Sequence, residues 1–234
     1  MTALLSLKNV QAYYGSAHIL HGLSLEVKAG ERVGLIGRNG VGKTTVVNTI
    51  LGLAQLKGGQ IELGGQSLPR PRPYHAAQRG VVVVPQGRRI VANLSVEENL
   101  QLGAAVGRKG PWTVPEIYKL FPILQERAHT PGTALSGGQQ QMLAVGRALM
   151  ANPSLILLDE PTEGLAPVIV DQLAEIFNRV ADQGTALLLI EQNMSLVARV
   201  AHRYLALAKG AVVAQGLVEN SRTGLKCLEE HVMV

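Results

Sequence analysis

The sequence contains one cysteine, Cys227, so it cannot build an intrachain disulfide framework, and this scarcity fits a reducing cytosol. It has no run near the roughly 18–20 consecutive apolar residues that a membrane-crossing helix needs. The richest runs, Val81–Val84, Leu155–Leu158 and Ala186–Ile190, are short and read as buried strands. Residues 1–10 hold no basic segment followed by a long apolar stretch, so no secretory signal is expected. His18, His21, His75, His129, His202 and His231 lack the spacing of metal ligands, and Cys227 has no His or Asp close by in sequence. There is no internal repeat and no low-complexity tract.

What is present is a globular composition, with 47% apolar and 17% charged residues in a chain of 234, enough for one large α/β domain. The net charge is +5. Its densest basic group, Arg70, Arg72, Arg79, Arg88 and Arg89, is broken by prolines and an apolar strand. Such scatter suits a protein that holds a polyanionic nucleotide, or sits near an anionic membrane face, better than a nucleic-acid binder.

The first third is β-rich. Leu5–Val10 and Leu23–Val27 alternate, an Ala29-Gly30 turn leads into Arg32–Ile36, and Gln60–Leu63 is closed by Gly64-Gly65. From about Gly80, apolar strands alternate with helical segments, as in a buried parallel sheet. Ser95–Leu102 and Val114–Arg127 read as helices of an inserted lobe, whose glycines and prolines (Gly103, Gly107, Gly110, Pro111, Pro131, Gly132) are expected to act as flexible joints. Trp112 is expected to pack. Ser136 with Gln139 forms a capping box for a helix that ends before Asn152-Pro153. Another helix starts at Pro167, buries Ile169, Leu173, Ile176, Phe177 and Val180, and stops at Gly184. Residues 216–234 are uninformative.

Gly37-Arg-Asn-Gly-Val-Gly-Lys-Thr44 matches G-x-x-x-x-G-K-[ST], between a strand (Val33–Ile36) and a helix (Thr44–Leu51). Glycines let backbone N–H groups wrap an anion, and the helix N-terminus adds partial positive charge. Lys43 suits β/γ-phosphate oxygens and the Thr44 hydroxyl suits Mg²⁺, so ATP is the expected ligand. Ser154–Glu160 is an apolar strand ending in two carboxylates, at the sheet edge where open α/β sheets bind ligands. Asp159 can hold Mg²⁺, directly or through water, and Glu160 can orient and polarise an attacking water.

With these, Leu135-Ser-Gly-Gly-Gln-Gln-Gln141 makes the chain resemble, from about Leu5 to Gly216, the ATP-binding subunits of ABC transporters. The resemblance implies an α/β P-loop NTPase with a mixed, largely parallel sheet core, an N-terminal antiparallel β subdomain and an inserted helical subdomain. Residues 1–234 are expected to be one such domain, with the lobe at about 88–150 and no appended regulatory module. Nucleotide contacts are implied at Gly37, Arg38, Asn39, Gly40, Val41, Gly42, Lys43, Thr44 and Thr45. Ser136, Gly137 and Gly138 are implied to reach the γ-phosphate of ATP held by another subunit. Gln86 is implied to sense Mg²⁺ and the attacking water and to touch a transmembrane subunit. Tyr14 matches the aromatic that stacks on adenine, although adjacent Tyr13 leaves that assignment open.

Two positions depart from the family pattern. The switch histidine is replaced by Gln192, which can hydrogen-bond a γ-phosphate but cannot take and return a proton, leaving Glu160 as the better base. The usual aspartate before Pro167 is Ala166. Glu191-Gln-Asn193 and Leu165-Ala-Pro167 lean toward the smaller ATPase of branched-chain amino acid importers. Arg38-Asn-Gly-Val-Gly42, Tyr13-Tyr-Gly15 and Pro85-Gln-Gly-Arg-Arg89 lean toward the related urea/amide importers. Implied partners are transmembrane permeases, a second ATPase copy or a sister ATPase, and indirectly a periplasmic solute-binding protein. The implied location is cytoplasmic, peripheral on the inner face of the membrane. No nucleic-acid partner is expected, because coiled coils, zinc motifs and a second ATPase unit are lacking.

Overall fold

In the computed structural model, which describes residues 3–218, the alternating segments at the start form β1 (Ala3–Tyr14) and β2 (Ala17–Lys28), an antiparallel pair. Both run several residues beyond the alternating cores. β3 (Arg32–Ile36) feeds α1 (Lys43–Ile50). β4 (Gln55–Leu63) and β5 (Gln66–Ser67) then return to the hairpin and complete a four-stranded sheet of order β2-β1-β4-β5. α2 (Pro73–Gln78) leads to β6 (Val81–Val84). Helices α3 (Val96–Ala104), α4 (Val114–Leu120), α5 (Pro122–Glu126) and α6 (Gly137–Leu149) lie between β6 and β7 (Leu155–Asp159). The described chain closes with α7 (Pro167–Asp182), β8 (Ala186–Glu191), α8 (Met194–Val200), β9 (Arg203–Ala208) and β10 (Ala211–Leu217).

The second sheet has six strands in the order β10-β9-β3-β8-β7-β6; all pairs are parallel except β10 with β9. β7 and β8 are buried on both faces, which is why their sequences are continuous apolar runs. Alternate residues serve two cores. Leu155 and Leu157 face a cluster shared with Leu5, Leu23 and Val33. Ile156 and Leu158 face the opposite cluster, with Leu143, Leu173 and Phe177 from α6 and α7. Trp112 packs into this second cluster.

Several expectations need correction. The helix expected over Val114–Arg127 is two helices, because Pro122 disfavours a helical Phe121, which sits at φ −132°, ψ 77°. Gly103 and Gly132 are not flexible joints. A Cβ on Gly103 would lie 1.9 Å from the Arg147 carbonyl oxygen of α6, and one on Gly132 would lie 2.7 Å from Ile90 Cγ2. They are points of close packing where no side chain fits. α2, α8, β9 and β10 were not expected. Cys227, His231 and most of the segment 216–234 lie outside the described residues.

The α3–α6 approach makes a stability prediction. Gly103→Ala should destabilise the fold by about 1–3 kcal/mol, since a backbone carbonyl cannot step aside. Leu102→Ala, on the exposed side of α3, should stay within about 1 kcal/mol. Chemical-denaturation midpoints of the two variants compare them directly; equal stability would contradict the packing account.

Candidate active site

The loop Gly37–Thr44 joins β3 to α1, and its glycines answer different demands. Gly40 and Gly42 adopt φ +83° and +108°, where side chains are disfavoured. A Cβ on Gly37 would meet the Leu207 carbonyl oxygen at 2.5 Å. Gly42 caps α1 in a left-handed turn, which leaves the first N–H groups of the helix facing the loop. Arg38, Asn39 and Gly40 are exposed, Val41 is half-buried, and Thr45 is buried beneath the helix start. Lys43 is only 3% exposed. Its Nζ donates to the carbonyls of Gly37 (2.9 Å) and Arg38 (3.0 Å) and lies 3.1 Å from Glu160 Oε1. A buried cation is thus held between two backbone carbonyls and one carboxylate.

Asp159 ends β7 and is buried beside Thr44, whose hydroxyl donates to it at 3.3 Å. Burial pushes its carboxyl up to about 6 from the ordinary 3.8, and the Glu160 and Glu191 charges push the same way; the Thr44 hydrogen bond and Lys43 oppose them. Glu160 follows at φ +48°, a strained backbone for a residue with a side chain. Its Oε2 accepts from Gln86 Nε2 at 3.2 Å, and the same amide nitrogen donates to Glu163 at 2.9 Å. Thr44, Gln86 and Asp159 line one cavity of about 330 Å³. Hydroxyl, amide and carboxylate oxygens are the hard donors that suit Mg²⁺.

Gln192 is exposed on the loop after β8. Beside it stands Glu191, a residue whose part the sequence reading missed. It is 4% exposed and accepts four hydrogen bonds: from Thr162 N (3.1 Å), Thr162 Oγ1 (2.6 Å), Gln192 N (3.0 Å) and Asn193 N (3.1 Å). An acidic residue closing an apolar strand, as in Leu155–Asp159, is the signal that could have found it. Glu163 was missed as well, and nothing local marks it as a partner of Gln86.

The structure does not bring all the candidates together. Ser136 caps α6, with its reciprocal bonds to Gln139 in place (3.0 and 3.4 Å). Gly137 lies against the Arg88 guanidinium and Gly138 against Ile169. Among the described residues no hydrogen bond joins Ser136–Gly138 to the loop 37–44. Tyr13 stacks on His18 (centroids 4.1 Å apart) with Lys57 over its ring, whereas Tyr14 is 41% exposed and its hydroxyl accepts from Asn48 at 2.7 Å.

Residues 20–163 match the family described as ABC transporter. The chain belongs to that family. BraG of Pseudomonas aeruginosa, a high-affinity branched-chain amino acid transport ATP-binding protein, is 42% identical over 212 residues, covering 90% of this chain and 91% of BraG. LptB of Haemophilus influenzae, the ATP-binding protein of a lipopolysaccharide export system, is 32% identical over 222 residues, covering 93% and 92%. Among solved structures, a nucleotide-free ATP-binding cassette from an ABC transporter superposes with a TM-score of 0.81 at 26% identity, covering 98% and 96%. A dimeric bacterial ABC transporter cassette gives 0.78 at 25% identity, covering 92% and 99%. The chain is therefore an ABC ATP-binding subunit with the fold of a P-loop ATPase, from a family whose members work with transmembrane permeases and form dimers. No helix among its described residues is long and apolar enough to cross a membrane.

In this ABC ATPase the buried Asp159 charge sets a stability cost with a definite pH dependence. A folded pKa near 6 against 3.8 means that ionised Asp159 destabilises the nucleotide-free fold above pH 6, on the order of 3 kcal/mol. The cost fades as pH falls from about 6 towards 3.8, where unfolded chains take up the proton too. Asp159→Asn should therefore be the more stable protein at pH 7.5, and its advantage should vanish near pH 4. Thermal melts across that range measure it; an advantage independent of pH would exclude this origin.

Proposed function

We propose that the chain powers an ABC importer for branched-chain or other hydrophobic amino acids, with Glu160 as the base that activates water. The observation that carries the catalytic part is Glu160 itself, one carboxylate oxygen on Lys43 and the other on Gln86, next to Asp159 and Thr44. N–H groups of loop 37–44 and Lys43 receive the phosphates, while Thr44, Asp159 and Gln86 supply oxygen ligands for Mg²⁺. Held by these residues, Mg²⁺ would supply charge neutralisation to the phosphate oxygens. Glu160 takes the proton of the attacking water, and Gln192 offers its amide to the γ-phosphate. Tyr14 is the adenine platform; its exposure supports this over Tyr13, whose ring already stacks on His18.

Ser136, Gly137 and Gly138 complete the site of a second ATPase chain, identical or a sister subunit, so that two ATP molecules are held in a head-to-tail dimer. Support comes from the α6 N-terminus, whose Ser136 is exposed and Gly137 half-buried, with no bond to its own phosphate loop. Gln86 lines a cavity with Leu53, and both Leu53 and Tyr74 are exposed apolar residues. This face suits docking to permease subunits, with the ATPase held peripherally on the inner face of the membrane and a periplasmic binding protein delivering the solute.

Identity to BraG favours amino acids as the solute. Pro85-Gln-Gly-Arg-Arg89 keeps a urea or short amide importer as the second reading. Uptake of labelled leucine against labelled urea, by vesicles carrying this chain with its permeases and binding protein, separates the two. Glu160→Gln should keep ATP affinity, lose turnover by about a hundredfold or more, and accumulate an ATP-bound dimer on size exclusion. Turnover at the parent rate would remove Glu160 from its role. Tight, salt-dependent nucleic-acid binding would instead point to a soluble ATPase of another class.

A further inference from the structure

Glu191 has no part in the chemistry above, yet its buried carboxylate is fully engaged. One oxygen holds the backbone N–H and the hydroxyl of Thr162; the other holds the N–H groups of Gln192 and Asn193. Ion-assisted bonds of this kind are stronger than neutral ones, and the 2.6 Å contact to the Thr162 hydroxyl is short. Thr162 stands two residues after Glu160, whose own N–H donates to the Ile190 carbonyl at 2.9 Å. Glu160 is therefore anchored on both sides to the end of β8, once at its own nitrogen and once through Thr162. Between the anchors it keeps φ +48°, a conformation that persists only where the surroundings hold it. That backbone aims its carboxylate between Lys43 and Gln86. On its other side Glu191 fixes the start of the loop bearing Gln192, and Asn193 continues the chain by capping α8 with its side chain, which accepts from Leu196 N at 3.2 Å.

We propose that Glu191 is a positioning residue for hydrolysis: through Thr162 it holds the strained backbone that aims Glu160, and through Gln192 and Asn193 it makes the Glu160 and Gln192 loops move as one. The idea rests on Glu160 acting as the base. Because the phosphate loop and Tyr14 lie outside this bracket, the contacts they make with nucleotide do not depend on it; only the γ-phosphate contact of Gln192 does.

The test compares Thr162→Val, which deletes the hydroxyl, with Thr162→Ser, which keeps it, and adds Glu191→Gln and the double variant Glu191→Gln/Thr162→Val. For Thr162→Val, kcat should fall about tenfold below that of Thr162→Ser, the loss of one charge-assisted bond, with KM for ATP and the affinity for a fluorescent ATP analogue within about twofold. The double variant should be no slower than about the worse single variant, because both break the same tie. Thr162→Val turning over like Thr162→Ser would overturn the proposal. So would losses that multiply in the double variant, or nucleotide affinity that falls as far as kcat. If Glu191→Gln does not fold, the Thr162 pair decides alone. Failure of the underlying reading is separate and visible: Glu160→Gln would then still turn over.

Discussion

Ile36 pairs with Glu191 across β3 and β8, and Ile190 pairs with Asp159 across β8 and β7, so three buried parallel strands end level with one another. Everything in the candidate site depends on that register. The residues that leave these ends are Gly37, Glu160 and Gln192, and a slip of one strand by a residue would shift its exit relative to the others. A slip would also send Leu157 and Leu188 from one apolar cluster into the other, disturbing the close packing of both. The apolar packing of the two clusters therefore holds the polar edge in place.

That edge gathers a buried lysine and three acids. Lys43 lies on Glu160, with Asp159 beside Thr44 and Glu191 tied into the neighbouring loops. Gathering carboxylates where water is scarce raises the free energy of the folded chain, as the upward shift of Asp159 records. A protein selected for stability alone would not keep this cluster. It suits a site in which a polyanion and a divalent cation enter together and satisfy both signs of charge.

The segment after β6 connects this edge to the helices. Gln86 touches Glu160 and Glu163, while Arg147 of α6 donates to the carbonyls of Arg88 and Arg89, both in left-handed conformations. Buried Asn99 of α3 binds both backbone groups of Val91 and accepts from Arg147. A displacement of this segment would be felt at Glu160 through Gln86 and at α6 through Arg147. In the importer proposed above, these bonds would be the route from a permease docked on this segment to the site.

The sequence by itself determined the local features. Gly40, Gly42 and Lys43 announce an anion loop because the loop's demands are met by neighbours in the chain. Leu155–Leu158 announces a buried strand because burial on both faces needs apolar residues throughout. Ser136 and Gln139 announce a helix start because their bonds span three residues. Asp159 and Glu160 were legible as the polar end of an apolar strand. Tertiary structure alone decided whatever joins distant segments: Glu191 with Thr162, Gln86 with Glu163, and Lys57 with the Tyr13 ring. It also recast Gly103 as a point of contact with Arg147, 44 positions along the chain. Local geometry is written in adjacent residues, whereas a contact between strand ends exists only after register and packing have chosen which ends stand side by side.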